Sequence, residues 1–89
     1  MTSAAPVRLL YFAWLRERLG TAAEEIDLPH DVATVGDLVL WLRRRGPAWD
    51  AVFAMTRTVR CAVNQEFAEP ARPVKPGDEI AFFPPVTGG

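Results

Sequence analysis

The chain has one cysteine, Cys61, and one histidine, His30, in 89 residues. A single thiol excludes an internal disulfide, and such sparse cysteine suits a reducing compartment. One His and one Cys at this separation match no metal-binding spacing, so no metal site is expected. Neither sign of charge dominates: ten Lys plus Arg stand against eleven Asp plus Glu. That balance leaves no electrostatic footprint for nucleic acid. No apolar run approaches the ~20 residues needed to cross a bilayer. The first residues lack the charged-then-apolar run of a secretory leader. The expectation is a cytoplasmic protein with neither membrane nor nucleic acid among its partners. Glycine-rich phosphate loops, nucleophile elbows, repeats and domain linkers are missing too. The length fits one small domain, which buries about 60–65% of its unfolded surface. That suffices for a core, but not for a core plus a deep private active site.

What is present is a sequence of short apolar segments. Residues 1–6 are small and polar and read as a flexible lead-in. Val7 to Phe12 alternates as a strand, with Val7, Leu9 and Tyr11 on one face and Arg8, Leu10 and Phe12 on the other. Ala13 to Leu19 reads as a short helix stopped by Gly20 at C′. Glu24 to Leu28 reads as an edge strand with Ile26 and Leu28 inward, and Glu24-Glu25 as its solvated edge. His30 falls in the turn that follows. Thr34 is a good N-cap, with Asp37 three residues on as a weak capping box. Val35, Leu38, Val39 and Leu42 then form one helical stripe. Arg43, Arg44 and Arg45 read as a solvated helix end favoured by the macrodipole, not as a phosphate site. Gly46-Pro47 ends that helix.

Ala48 to Met55 supplies a further helical turn, with Trp49, Val52 and Phe53 over the core. Thr58 to Val63 alternates again, with Val59, Cys61 and Val63 inward. Cys61 is expected to act as a small buried hydrophobe. Asn64-Gln65 is a turn, Glu66-Phe67-Ala68 its short return, and Pro76-Gly77-Asp78 a second turn. Glu79 to Phe83 is the last strand. This order fits an α+β fold, a mixed sheet with one main helix packed across it. If the first and last strands pair in parallel, the helical middle supplies the crossover that such pairing needs.

The final residues are the most informative. Pro84 and Pro85 cannot donate ladder hydrogen bonds and hold φ near the extended value. The sheet therefore stops near Phe83, and residues 84–89 leave it as a stiff arm. Gly88 and Gly89 are the thinnest and most adaptable peptide available. With glycine at about 7% of residues, two glycines close a chain by chance in roughly 0.5% of cases. The pattern is therefore read as functional: a slender end that inserts its carboxylate into another protein. A carboxylate is a poor electrophile until an enzyme converts it to an acyl adenylate. Phe12 and Phe83, joined by Phe67, are placed on the sheet face opposite the core as an exposed docking patch. The alternative puts these rings under the helix and turns Leu9, Tyr11 and Phe82 outward.

The run from Gly77 to Gly89, with its Phe-Phe-Pro-Pro-Val-Thr-Gly-Gly ending, resembles the C-terminus of the small subunit of molybdopterin synthase. Phe12-Ala13 with Arg16-Glu17, and Ala62-Val63-Asn64-Gln65, are similar to the same family. The likeness spans Val7 to Gly89. It implies a ubiquitin-like β-grasp fold over residues 7–83, followed by the tail. It implies that Gly89 is adenylated with ATP by an E1-like adenylyltransferase and converted to a thiocarboxylate with sulfur from a donor protein. No permanently bound cofactor is implied. The tail Pro84, Pro85, Val86, Thr87, Gly88 would enter the large synthase subunit. There Gly89 would donate sulfur to cyclic pyranopterin monophosphate in molybdenum cofactor biosynthesis. The family complex is a heterotetramer, and the small subunit has no catalysis alone. Phe12, Arg16, Phe67 and Phe83 would form the partner interface. Sulfur carriers for thiamine, cysteine or tRNA thiolation, ubiquitin-like modifiers of lysine, and an inert binding module share parts of this pattern.

Overall fold

Two alternating apolar strands, β1 (Val7–Tyr11) and β5 (Glu79–Phe83), lie side by side at the centre of the molecule and run parallel. The computed structural model describes residues 5–54 and 58–85. Between these strands in sequence come α1 (Trp14–Leu19), β2 (Ala23–Ile26), α2 (Val35–Arg43), α3 (Pro47–Ala54), β3 (Arg60–Val63) and β4 (Glu66–Phe67). The sheet order is β2-β1-β5-β3-β4, and every pair but β1–β5 is antiparallel. This is the ubiquitin-like β-grasp arrangement. The parallel pair requires a long crossover, which α2 and α3 provide. No helix among the described residues is long and apolar enough to cross a membrane.

Parity along the strands decides what is buried. Val7, Leu9 and Tyr11 of β1, Ile80 and Phe82 of β5, and Cys61 and Val63 of β3 all face the helices and are buried. Val35, Leu38 and Leu42 of α2 and Val52 and Phe53 of α3 cover them. Phe53 meets Phe82 edge-on at 4.9 Å between centroids, and Tyr11 stacks on Phe82 at 6.1 Å.

The N-terminus of α2 is satisfied on every side. Asp37 N–H donates to Thr34 Oγ1 at 3.2 Å, and Asp37 Oδ2 accepts from the Thr34 and Ala33 N–H groups. Asp37 thus completes a full capping box, stronger than the weak one expected. The next two N–H groups, of Val35 and Gly36, donate to the Arg72 and Pro70 carbonyls at 2.9 Å. The loop after β4 therefore serves as an external cap for donors that a helix cannot satisfy itself.

Several boundaries differ from expectation. β2 ends at Ile26, and Leu28 packs against the core from outside the strand. β3 starts at Arg60 and β4 ends at Phe67. Helix α2 stops at Arg43, and Pro47 opens α3, where its missing N–H costs nothing. Helix α1 begins at Trp14, because Ala13 (φ 57°, ψ −132°) occupies a tight reversal closed by Leu15 N–H donating to the Phe12 carbonyl. Gly20 ends α1 in the left-handed region, as its position predicts.

The larger correction concerns Glu24 and Arg45. Both still meet solvent, Arg45 more than Glu24, but neither is an unpaired charge. Arg45 donates to both Glu24 oxygens, at 2.7 and 2.9 Å, and Tyr11 Oη donates to Glu24 at 2.8 Å. The guanidinium lies 4.3 Å from the Trp49 ring centre and 5.3 Å from that of Trp41. This clamp ties β1, β2, α2 and α3 together. The Arg45 hydrogen bonds hold the Glu24 carboxyl below its ordinary range against a smaller opposing effect of burial, and Tyr11 assists. Burial, reinforced by Glu24, pushes the Tyr11 phenol well up. A depressed carboxyl stabilises the fold above the ordinary value of 4.5 and loses that contribution as pH falls through the folded value. A raised phenol stabilises below 10.0 and loses its contribution above it. Glu24→Gln should cost about 1–2 kcal/mol at neutral pH. It should also flatten the acid limb of a plot of melting temperature against pH. An unchanged acid limb would show that other carboxyls control it.

Candidate functional site

The sheet face turned away from the helices carries the candidate site. Strand register sets Leu10 beside Ala81, Ala81 beside Ala62, and Ala62 beside Phe67, a row across β1, β5, β3 and β4. Its two central members are alanines, so the floor is flat. Phe83 sits one step further along β5 opposite Arg60, and Phe12 follows β1 at the same end of the sheet. Phe12 is 48% exposed and Phe67 82%, while Phe83 is half-buried. The Phe67 and Phe83 rings lie 5.9 Å apart, tilted by 54°. The structure thus brings Phe12, Phe67 and Phe83 to one open face, and the alternative with Leu9, Tyr11 and Phe82 outward is excluded by their burial. Arg16 is exposed on α1, one turn past Phe12.

The chain leaves β5 at this same end. Pro84 and Pro85 are half-buried there. Val86, Thr87, Gly88 and Gly89 lie outside the described residues. Beside the exit, a groove of about 660 Å³ separates α2 from β3 and β4. Val39, Leu40, Val59, Phe67, Phe83 and Pro85 are among the residues that line it. Leu40, 55% exposed, belongs to the helix stripe next to the core one, and its outward position is not evident from the α2 periodicity.

The exit is held in place from the opposite end of β5. Asn64 and Gln65 both take positive φ, 51° and 70°, in the β3–β4 turn. Asn64 Nδ2 donates to Asp78 Oδ1 at 3.0 Å, and its Oδ1 accepts from Glu79 N–H at 3.0 Å. Asp78, 7% exposed, also accepts from Lys75 N–H at 2.9 Å. These bonds pin the start of β5 to the hairpin turn and so fix the strand that delivers the tail. In the sequence Asn64 and Asp78 look only like turn residues, and nothing signals that they pair with each other.

The described residues hold no group of three or more His, Cys, Asp or Glu arranged for a metal. His30 is exposed in its turn. Cys61 is buried, and burial pushes its thiol up to about 12 against a weaker pull from Arg72. Almost no thiolate exists at neutral pH, so folded protein should resist iodoacetamide and react only once unfolded. Mass spectrometry checks this, and rapid labelling of the folded chain would contradict it.

The ThiS family matches residues 9–89. The molybdopterin synthase sulfur carrier subunit of Escherichia coli (strain K12) is 39% identical over 83 residues, which cover 93% of this chain and 99% of that protein. Among solved structures, the Haloferax volcanii small archaeal modifier protein 1 superposes with a TM-score of 0.74 at 31% identity, over 92% of this chain and 99% of its own. A chain in the complex of subunits 1 and 2 of the molybdopterin-converting factor from Helicobacter pylori 26695 superposes with a TM-score of 0.63. It shares 20% identity over 94% of this chain and 99% of its own, a likeness of fold alone.

Proposed function

The chain belongs to the ThiS family, and from that membership we propose that it is the sulfur-carrier subunit of a molybdopterin synthase. The observation that carries this is the coincidence of an exposed aromatic face with the end of the sheet from which Pro84-Pro85 departs. A partner that covers Phe12, Phe67 and Phe83 is thereby placed to receive whatever follows Pro85. The Gly88-Gly89 pair lies at the end of the family match.

In this reading the domain is a handle and Gly89 carries the reacting carbon. The carboxylate attacks the α-phosphate of ATP on an E1-like adenylyltransferase, and pyrophosphate leaves. The outer sulfur of a donor protein's persulfide then displaces AMP to give an acyl disulfide. A second thiol cleaves its S–S bond, leaving donor and thiol joined as a disulfide and Gly89 as a thiocarboxylate. The charged tail enters the large synthase subunit and gives its sulfur to cyclic pyranopterin monophosphate. Two small and two large subunits make up the assembly. The described residues of the domain supply docking and aim, while ATP and the catalytic groups belong to partners. Both the ATP-dependent charging and the sparse, buried thiol suit the cytoplasm. The Escherichia coli relative, 39% identical, is named as a subunit of a synthase, which supports a large-subunit partner for this chain.

The test is charging in vitro with the activating enzyme, ATP and a sulfur donor. Intact-mass measurement should show one terminal oxygen replaced by sulfur, and the charged protein should form molybdopterin with the large subunit. No mass change under conditions that charge the Escherichia coli relative would defeat the proposal. Likeness to a small archaeal modifier protein favours a second reading, attachment to protein amines. Conjugates of higher mass bearing this chain on lysine would support it.

A further inference from the structure

The phenylalanines of the open face have a guanidinium among them. Cys61 faces the core, so its neighbours Arg60 and Ala62 on β3 face outward. Arg60 lies directly opposite Phe83, which sets their Cβ atoms about 5 Å apart. Phe67 stands on the far side of β3, paired with Ala62, yet its ring meets that of Phe83 at 5.9 Å between centroids. The two rings therefore close over β3 next to Arg60. A partner that covers both rings covers Arg60 as well.

The chain gives this cation nothing to pair with. Arg43, Arg45 and Arg72 each hold a carboxylate, of Asp50, Glu24 and Glu66 respectively. Arg8, at the other end of the open face, stands in register between Glu25 and Glu79. Arg60 is exposed and has no ion pair or hydrogen bond among the described residues. Glu69 lines the same groove as Arg60 but makes no ion pair with it. In the free protein, water solvates the guanidinium at little cost. Under a docked partner that water is lost, and a charge buried without an acceptor is expensive. The planar fork of arginine matches a carboxylate through two parallel hydrogen bonds.

Resting on the carrier reading, we propose that Arg60 sets the specificity of the docking face: the large subunit presents a carboxylate, framed by apolar side chains, to Arg60 beside the Phe67–Phe83 pair. The rings supply contact area that many apolar surfaces could meet. Arg60 rejects those that bring no anion, because they would bury it unpaired.

The test is titration of the full chain with the large synthase subunit from the same organism, in native form and as Arg60→Leu, Arg60→Lys and Arg60→Glu. Arg60 is exposed and unpaired, so all three variants should melt within about 4 °C of native. Arg60→Leu keeps an apolar contact but leaves the partner's carboxylate unpaired. It should weaken Kd at least about 30-fold, chiefly through faster dissociation. Arg60→Glu sets like charges together and should weaken Kd at least about 100-fold. Arg60→Lys keeps the charge but loses the fork, and should fall between native and Arg60→Leu. The Asp and Glu residues of the large subunit are then replaced singly by Lys. One replacement should restore binding of Arg60→Glu while weakening that of the native chain, a reciprocal effect that a merely structural role of Arg60 would not produce. Native-like or tighter binding by Arg60→Leu would overturn the proposal, as would the lack of any restoring replacement. Either result with a native chain that still binds leaves the carrier reading standing, whereas a native chain that does not bind the large subunit sinks both.

Discussion

Gly88→Val, or one residue appended after Gly89, should abolish sulfur transfer while leaving the unfolding midpoint unchanged. The stability half follows from the fold. The core closes with Phe82, and every buried residue among those described precedes Pro84. The functional half follows from distance. One added residue displaces the reacting carbonyl by about 3.5 Å. A misplacement of about 1 Å can already cost 100-fold where the reacting atoms must meet in one geometry. Valine at 88 keeps the length but adds a branched side chain and removes the free choice of φ that glycine has. The two variants therefore fail for different reasons, one from reach and one from bulk. Both should be assayed as thiocarboxylates prepared by intein chemistry, so that a charging defect is not mistaken for a transfer defect. Molybdopterin formation within about tenfold of native by either variant would mean that the terminus does not enter a confined site.

Much of this was legible in the sequence, because the signals are local or periodic. The period-two alternation of Val7-Leu9-Tyr11 and the Thr34 cap with its Val35-Leu38-Leu42 stripe each fix an element without reference to the rest. The two prolines after Phe83 do the same for the end of the sheet. Strand parity also assigned Phe12 and Phe83 to the open face. The misjudged residues are those whose role depends on a partner distant in sequence. Glu24 and Arg45 look like ordinary surface charges until the fold brings them within 2.7 Å. Asn64 and Asp78, fourteen positions apart, look like two separate turns. Pro70 and Arg72 look like irregular loop until their carbonyls are found capping α2. Ala13 departs in the other direction, since its conformation is one that glycine ordinarily takes, and alanine gives no hint of it.

Phe82→Ala and Phe83→Ala should have opposite consequences, although the two residues are neighbours in one strand. Phe82 is 1% exposed and touches the rings of Phe53 and Tyr11. Its truncation empties the centre of the core, a change that costs about 3–5 kcal/mol. For a domain whose whole stability is of order 5–15 kcal/mol, that removes a large part of it. At about 4–8 °C per kcal/mol, the melting temperature should fall by at least 12 °C. Phe83 is half-buried on the open face and touches the exposed ring of Phe67. Removing it should cost the fold about 1 kcal/mol or less, because solvent already reaches the site. If the face docks the large subunit, an aromatic anchor there is worth about 2 kcal/mol, or roughly 30-fold in Kd. Thermal melts and titration calorimetry on the same two variants separate these effects. An intact Kd in Phe83→Ala would remove the aromatic face from the docking surface. A large drop in melting temperature for that variant would instead mean that Phe83 belongs to the core, and that strand parity does not separate the two roles.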